Sequence, residues 1–459
     1  MHYKKTFKTT LFALSSLTLA SCMSTPAEST AATPIPATTT STAPNIVYMI
    51  GDGMGFEYIS AYRYAMSTRG AGELTTTPFD ELLRGAATTY PDDDTWVTDS
   101  AAGATALATG VKSYNGAIGI DAERHPQQTL MEKARAAGWL TGAVSTSQVT
   151  HATPASFFTH HPSRNMYNAI ADSLAEPIAP GQWSFDVLLG GGYDHFQRDD
   201  VKHLDTLAAA GMAIATDFEE LAALQQTPAL AVLAPLGLPH AIDAEPRLAT
   251  LTDKALQLLT QAQQQRATGK PFALMIEGSQ IDWCGHANDI ACAVHEMADF
   301  AAAIEVVLAY QEEHPNTLLV ITADHSTGGL ALGRDGVYEW LSERVMQINA
   351  SIYQMTADLL QLPVIEWRSY LEPQLNLPLT EAHWQKIMAA ADILDLEARE
   401  EALNEALVYA TADLTGTGWT TGGHTAVDVP VMAAGPYAEQ FRGYMDHTEV
   451  AKALLQLVP

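Results

Sequence analysis

Cysteine is nearly absent from the chain: among 459 residues there are three, Cys22, Cys284 and Cys292. The last two stand eight residues apart. On one continuous helix they would lie roughly 12 Å apart at ~1.5 Å per residue, beyond disulfide reach. The sequence therefore favours two unpaired thiols, unless a break interrupts that helix. Basic residues are scarce as well, with 24 Lys and Arg against 53 Asp and Glu and a formal net charge of −29. Such an excess argues against a nucleic-acid-binding domain and against docking on anionic lipid by charge. It also sets a condition on any anionic substrate, which is repelled at long range unless positive charge is concentrated locally; bound metal ions can supply it. No stretch has the ~20 uninterrupted apolar residues of a membrane span, and no internal repeat of fixed period is present.

What the chain does have begins with a targeting segment, residues 1–21. Lys4, Lys5 and Lys8 form a basic start and Leu11–Leu19 a short apolar run, a signal-peptide pattern to be set aside from fold reasoning. Leu19-Ala20-Ser21-Cys22 resembles the lipobox of bacterial lipoproteins. That resemblance implies cleavage before Cys22, acylation of Cys22, and an exported, periplasmic protein of a Gram-negative bacterium. Membrane attachment is then through the lipid anchor alone. A plain secretory signal with an incidental cysteine is the alternative. Loss of residues 1–21 removes those three lysines and no acids, taking the formal −29 to about −32. Residues 22–44, rich in Thr, Ala, Ser and Pro, cannot bury a core and read as a tether.

From Asn45 the pattern alternates short apolar runs with helix-like segments. Asn45–Ile50, Leu140–Ser145, Phe185–Leu189, Pro271–Ile276, Thr317–Thr322 and Val427–Ala433 are strand candidates. Gln128–Ala137, Leu248–Gln265 and Met297–Glu312 are helix candidates. This alternation predicts an α/β chain, a mostly parallel sheet covered by helices on both faces, with ligands bound beyond the carboxyl ends of the strands. Residues 337–404 differ: successive amphipathic segments with Trp340, Trp367 and Trp384 read as a helical cap inserted into a catalytic domain of residues 45–459.

Four polar clusters follow strand ends. Asp52 lies between two glycines just after the first strand, where a ligand can approach the backbone, although Gly-Asp-Gly is also a common turn. Ser100, preceded by Asp99 and followed by small residues, fits the first turn of an Ala-rich helix. Asp99 or Ser100 could serve there simply as an N-cap, or the helix end could bind phosphate and activate the serine. Asp282 and His286 are four apart, a zinc-ligand spacing on one helix face and equally the spacing of a solvated one; Glu277 precedes them at a strand end. Asp324-His325 follows another strand, with His424 as a distant partner among glycines and threonines. Carboxylates, imidazoles and a serine at the ends of several strands make a constellation that suits zinc with an additional magnesium site.

These segments, with His151-Ala152-Thr153-Pro154, Arg164-Asn165 and Phe185–Gly192, resemble the alkaline phosphatase family in order and spacing from Asn45 to the C-terminus. The resemblance implies an α/β/α sandwich, an inserted cap, a homodimer, and hydrolysis of phosphate monoesters through a phosphoserine at Ser100. Two zinc ions would be held by Asp282, His286 and His424 and by Asp52, Asp324 and His325. One magnesium ion would be held by Asp52, Thr153 and Glu277, with His151 in its outer shell. Arg164 falls at the phosphate-clamping arginine. His151 and Trp283 depart from the enterobacterial pattern and resemble the animal and marine-bacterial branches, with Trp283 read as lining the active site.

Phosphodiesterases and sulfatases share this architecture and are the nearest alternatives. Ser100 is followed by Ala-Ala-Gly-Ala and not by the modification motif of sulfatases, while Glu277 with Thr153 favours the monoesterase. A non-catalytic lipoprotein that binds metal or phosphate is the alternative of another class; retention of both Ser100 and Arg164 argues against it.

Overall fold

A computed structural model describes residues 43–459 except Pro246, Ala267 and Thr268. The expected signal peptide, most of the tether and Cys22 lie outside the described residues. Fourteen strands occur among those described. Ten form one sheet: β1 (Asn45–Gly51), β2 (Leu83–Thr88), β3 (Leu140–Gln148), β4 (Val187–Gly191), β5 (Ala213–Ala215), β6 (Ala229–Val232), β7 (Phe272–Gly278), β8 (Thr317–Thr322), β13 (Val429–Ala434) and β14 (Gly443–Asp446). The others pair as two-residue ladders, β9 (Ser326–Thr327) with β12 (His424–Thr425), and β10 (Ala331–Leu332) with β11 (Thr417–Gly418).

In space the sheet runs β14-β2-β13-β8-β1-β7-β3-β4-β6-β5. Every neighbouring pair is parallel except those made by β13, which is antiparallel to both β2 and β8. The central strands β1, β3, β7 and β8 are buried along their whole length, as continuous aliphatic runs covered on both faces must be. Long helices such as Leu248–Gln265 and Ile290–Glu313 bury their apolar stripes in the same core. The mixed α/β class and the parallel sheet expected from the alternation are what the chain forms.

Strand register gathers the polar residues. Ile50 of β1 is level with Glu277 of β7 and with Thr322 of β8, and Ser145 of β3 is level with Glu277. The carboxyl ends of four adjacent strands therefore finish together, and the residues just beyond them share one rim. Between Ser342 and Thr415 the chain is helical, and Ile352, Met355, Trp367, Leu371, Trp384, Ile387 and Leu407 form a second apolar core of their own. No helix among the described residues is long and apolar enough to cross a membrane.

One expectation is overturned. Cys284 and Cys292 form a disulfide, with Cα atoms 5.5 Å apart. The two thiols expected to be unpaired are joined because the chain breaks between them instead of running as one helix. One helix ends at His286, Asn288 takes a left-handed turn at φ 52°, and Asp289 caps a new helix starting at Ile290, its side chain accepting from the N–H groups of Ala291 and Cys292. The turn folds the second helix back and brings the two sulfurs together.

Candidate active site

Asp52 follows β1 directly, and the turn it begins depends on Gly53. At φ 72° a β-carbon on Gly53 would come within 2.8 Å of the Asp282 Cα, so only glycine lets the turn sit against the helix that carries Asp282. The Gly53 N–H donates to Asp324 Oδ1 at 3.1 Å, tying the ends of β1 and β8. Thr327 donates to Asp282 Oδ1, and the β9–β12 ladder sets His424 opposite Thr327. The distant histidine is thus delivered by a two-residue strand pair.

The titratable side chains fall into three groups whose ligand atoms approach within 4.8 Å of one another: Asp282, His286 and His424; Asp52, Asp324 and His325; Asp52, His151 and Glu277. In the first, His286 Nε2 lies 3.3 Å from Asp282 Oδ2 and 3.1 Å from His424 Nε2, and His424 Nε2 lies 3.5 Å from Asp282 Oδ1. His286 Nδ1 is 2.6 Å from the Gly422 carbonyl and His424 Nδ1 is 2.8 Å from the Thr98 carbonyl. Each Nδ1–H donates to backbone, which turns both Nε2 atoms toward Asp282, the orientation a metal-binding imidazole takes. In the second group His325 Nε2 is 3.2 Å from Asp324 Oδ2 and 3.5 Å from Asp52 Oδ1. Its ring stacks on His424 with centroids 3.6 Å apart, so the first two groups are adjacent.

Burial without compensation is the electrostatic signature. Asp52, Glu277 and Asp324 are fully buried and Asp282 nearly so. Both Asp52 oxygens, Asp324 Oδ2, Glu277 Oε1, Thr153 Oγ1 and His151 Nδ1 have no hydrogen-bond partner. Burial first, then the neighbouring carboxylates Asp324, Asp282 and Glu277, pushes the Asp52 carboxyl far above its usual range. Burial likewise raises Glu277 to about 7, and burial with repulsion from Asp282 raises Asp324 to about 8. Hydrogen bonding to Asp282 raises His286 to about 9. Orphaned buried anions of this kind are stable only with positive charge among them, so the donor set fits divalent cations.

Ser100 opens the helix Ser100–Thr109, all of whose residues are buried. Asp99 is the N-cap, its Oδ1 accepting from Ala102 N at 2.9 Å, which leaves the Ser100 hydroxyl uncommitted to capping. That hydroxyl lies 3.2 Å from His325 Nε2, at the positive end of the helix. Arg164 reaches the same place: Nη1 donates to Asp99 Oδ2 at 3.0 Å and Nη2 to His151 Nε2 at 3.1 Å. Burial and the Arg164 guanidinium hold His151 neutral, its pKa lowered to about 3. Trp283 meets the His151 ring edge-on at 6.0 Å. All twelve of the expected site residues within the described chain therefore stand on or beside one rim. Two further participants were not expected in these roles: Asp99 as the Arg164 anchor, and Thr327 as the Asp282 donor. Asp99 adjoins Ser100 at the start of its helix and Thr327 lies two residues after His325, but only the fold shows what they touch.

The fold and this site define a metal-dependent hydrolase class, and comparison with known proteins specifies it. A family model for alkaline phosphatase matches residues 43–458. Alkaline phosphatase 3 of Bacillus subtilis is 40% identical over 418 residues, covering 89% of this chain and 87% of its own. The crystal structure of a cold-active alkaline phosphatase from the psychrophile Shewanella sp. superposes with a TM-score of 0.83 at 42% identity, over 90% of this chain and 100% of that one. A TAB5 alkaline phosphatase mutant, described with Mg bound in the M3 site, matches at 28% identity with a TM-score of 0.64, over 91% of this chain and 98% of that one. The chain belongs to the alkaline phosphatase family and is a phosphomonoester hydrolase.

Proposed function

We propose that this chain hydrolyses a broad range of phosphate monoesters through a phosphoserine at Ser100, with two zinc ions and one magnesium ion. The observation that carries the reading is the Ser100 hydroxyl, at a helix N-terminus and 3.2 Å from His325, against a cluster of unpaired buried carboxylates. The mixed nitrogen and oxygen donors of Asp282, His286 and His424, and of Asp52, Asp324 and His325, suit zinc. The oxygens of Asp52, Thr153 and Glu277 suit magnesium, and each of these residues has a buried oxygen without a hydrogen-bond partner. When bound, these cations supply Lewis-acid charge to the reacting oxygens and favour the ionised serine.

The residues of the chain then divide the work. Ser100 Oγ forms the bond to phosphorus as the ester oxygen leaves with the electron pair, and water later cleaves the Ser100 phosphate to regenerate the hydroxyl. The first turn of the helix offers backbone N–H groups to the phosphoryl oxygens. Arg164, held in place by Asp99 and His151, presents its fork to two non-bridging oxygens. Trp283, with His151 edge-on to it, walls the pocket. Recognition confined to the phosphate leaves the alcohol unspecified. A homodimer, export, and anchoring through an acylated Cys22 complete the proposal; the lipobox resemblance and the tether composition support the anchor.

Two expected results test this. Hydrolysis of a chromogenic phosphate monoester should exceed that of the matching diester and sulfate from pH 7 to 11, vanish with chelator, and return with zinc plus magnesium. Preference for the diester or sulfate would overturn the substrate assignment while leaving the fold. Arg164→Lys should lower kcat/KM by about 10- to 100-fold, because one charge-assisted hydrogen bond of ~1.5–3 kcal/mol is lost from the fork. An unchanged kcat/KM in that variant would remove Arg164 from phosphate binding.

A further inference from the structure

A fourth cluster borders the helix that carries Asp282 and is chemically unlike the other three. His240, Cys284, Cys292 and Glu296 offer ligand atoms within 4.8 Å of one another. Cys284, Cys292 and Glu296 are buried, and the His240 side chain is 14% exposed, so the cluster meets solvent at its imidazole. His240 Nδ1 is 4.0 Å from Cys284 Sγ and 3.5 Å from Glu296 Oε1. Its ring is held edge-on between Trp283 at 6.4 Å and Tyr353 at 6.0 Å, with Nδ1 toward Glu296 and Cys284. Glu296 is oriented in turn by Arg247 Nη2 at 2.9 and 3.1 Å and by Ala241 N at 2.8 Å. Two sulfurs, an imidazole nitrogen and a carboxylate oxygen gathered within 4.8 Å make a donor set of the kind that takes zinc in tetrahedral coordination.

With the disulfide closed the sulfurs are spent on each other. We propose that once the Cys284–Cys292 bond is reduced, His240, Cys284, Cys292 and Glu296 form a zinc-type thiolate site separate from the three oxygen- and nitrogen-rich groups. A phosphine or small dithiol supplies two electrons, giving two thiols and the oxidised reductant. A divalent cation then displaces both thiol protons, forming two metal–sulfur bonds and releasing two protons to solvent. The sulfurs must separate to roughly 3.8 Å, the spacing of two thiolates on one tetrahedral zinc, which side-chain rotation can supply with the Cα atoms 5.5 Å apart. Charge does not oppose the exchange, since a zinc dithiolate is as neutral as the disulfide it replaces and the Glu296 carboxylate already has Arg247 as its balancing charge. The cation would take over the covalent bridge, joining the helix that carries Asp282 and His286 to the helix starting at Ile290.

Cobalt(II) is the probe, because only sulfur ligation gives a near-ultraviolet sulfur-to-cobalt charge-transfer band; the catalytic groups contain no sulfur. Full-length protein carrying Cys22→Ser is stripped with chelator, then titrated with cobalt(II) before and after phosphine reduction. The oxidised chain should show no band, and the reduced chain should gain one that saturates with one cobalt per chain bound beyond what the oxidised chain takes up. C284S/C292S should abolish it, and His240→Ala should weaken that affinity about tenfold or more. Circular dichroism followed in parallel separates folding from ligation. A reduced chain that stays folded without the band overturns the proposal. So does a band indifferent to His240→Ala, which marks thiols of an unfolded chain, or a reduced chain that cobalt does not refold.

Discussion

Ser100→Ala is expected to lower kcat/KM for a phosphate monoester by about 10⁴-fold or more, the scale on which removal of a nucleophile acts, while metal content and fold are retained. The separation of effects follows from local structure. Asp99, not Ser100, caps the helix, so the substitution removes no capping bond, and alanine at the first helical position is an excellent helix former. Each of the three candidate metal groups has three carboxylate or imidazole donors without Ser100, and the side-chain hydrogen bond that disappears is the one to His325 at 3.2 Å. The melting temperature should therefore shift by no more than ~2 °C, the effect of about 1 kcal/mol or less in a chain of this size. Steady-state kinetics, metal analysis and acid-quench trapping of phosphate on the chain form one data set. Turnover within tenfold of the parent, with no trapped phosphate, would falsify the covalent route and leave direct attack by water.

Most of the site is legible in the sequence because its residues sit where the backbone pattern changes. A buried parallel strand announces itself by an aliphatic run, and Asp52, Glu277, Asp324 and His325 each stand at or just past the end of such a run. The strands that escape sequence reading lack that signature. β2 reads Leu-Arg-Gly-Ala-Ala-Thr and β6 Ala-Leu-Ala-Val, compositions that serve a helix as well; three-residue β5 and four-residue β14 are defined by neighbours alone. The apolar pattern of β3 stops at Ser145, since Thr146, Ser147 and Gln148 have the composition of a loop. They are buried, and their polar groups meet partners from across the sheet: Ser279 N donates to Thr146 Oγ1 and Ser147 N to Ser279 Oγ. Only tertiary structure supplies such partners.

The disulfide shows a different limit. The distance argument against pairing Cys284 with Cys292 is sound only over one continuous helix. Asn288-Asp289 carries the contrary signal, a residue tolerant of the left-handed region followed by a strong N-cap. Two adjacent breaker residues outweigh the apolar pattern on either side, and the helix expected from Met297 in fact begins at Ile290.

Stripped of metal, the protein should lose stability as pH rises from about 6.5 to 9, and with zinc and magnesium bound the trend should reverse. The sign comes from which state holds more protons. In the unfolded chain Asp and Glu titrate near ~4, so above that pH they are ionised. In the native metal-free chain Glu277 keeps its proton to about 7 and Asp324 to about 8, with Asp52 raised as well. Such groups contribute stability that is complete below their unfolded pKa and is lost as pH climbs through the folded one. His286, raised to about 9, acts in the same direction: protonated in the native state above ~6.5, it loses its contribution as pH passes through about 9. Groups of opposite sign act lower down. His151 and His447, each lowered to about 3 by burial, and His325, lowered well below its usual value by burial and by His424, cost stability only as pH falls below ~6.5, where the unfolded imidazoles protonate. The alkaline window is thus governed by the carboxyls and His286, each worth up to ~1.4 kcal/mol per pH unit while it titrates. Cations must expel those same protons to bind. Their affinity therefore rises with pH by about tenfold per unit for each proton displaced, and bound metal adds stability by mass action. Melting temperatures recorded from pH 6.5 to 9 with chelator, and with saturating zinc and magnesium, should diverge steadily. A chelated curve that is flat or rises would mean the buried carboxylates are neutralised by something other than metal.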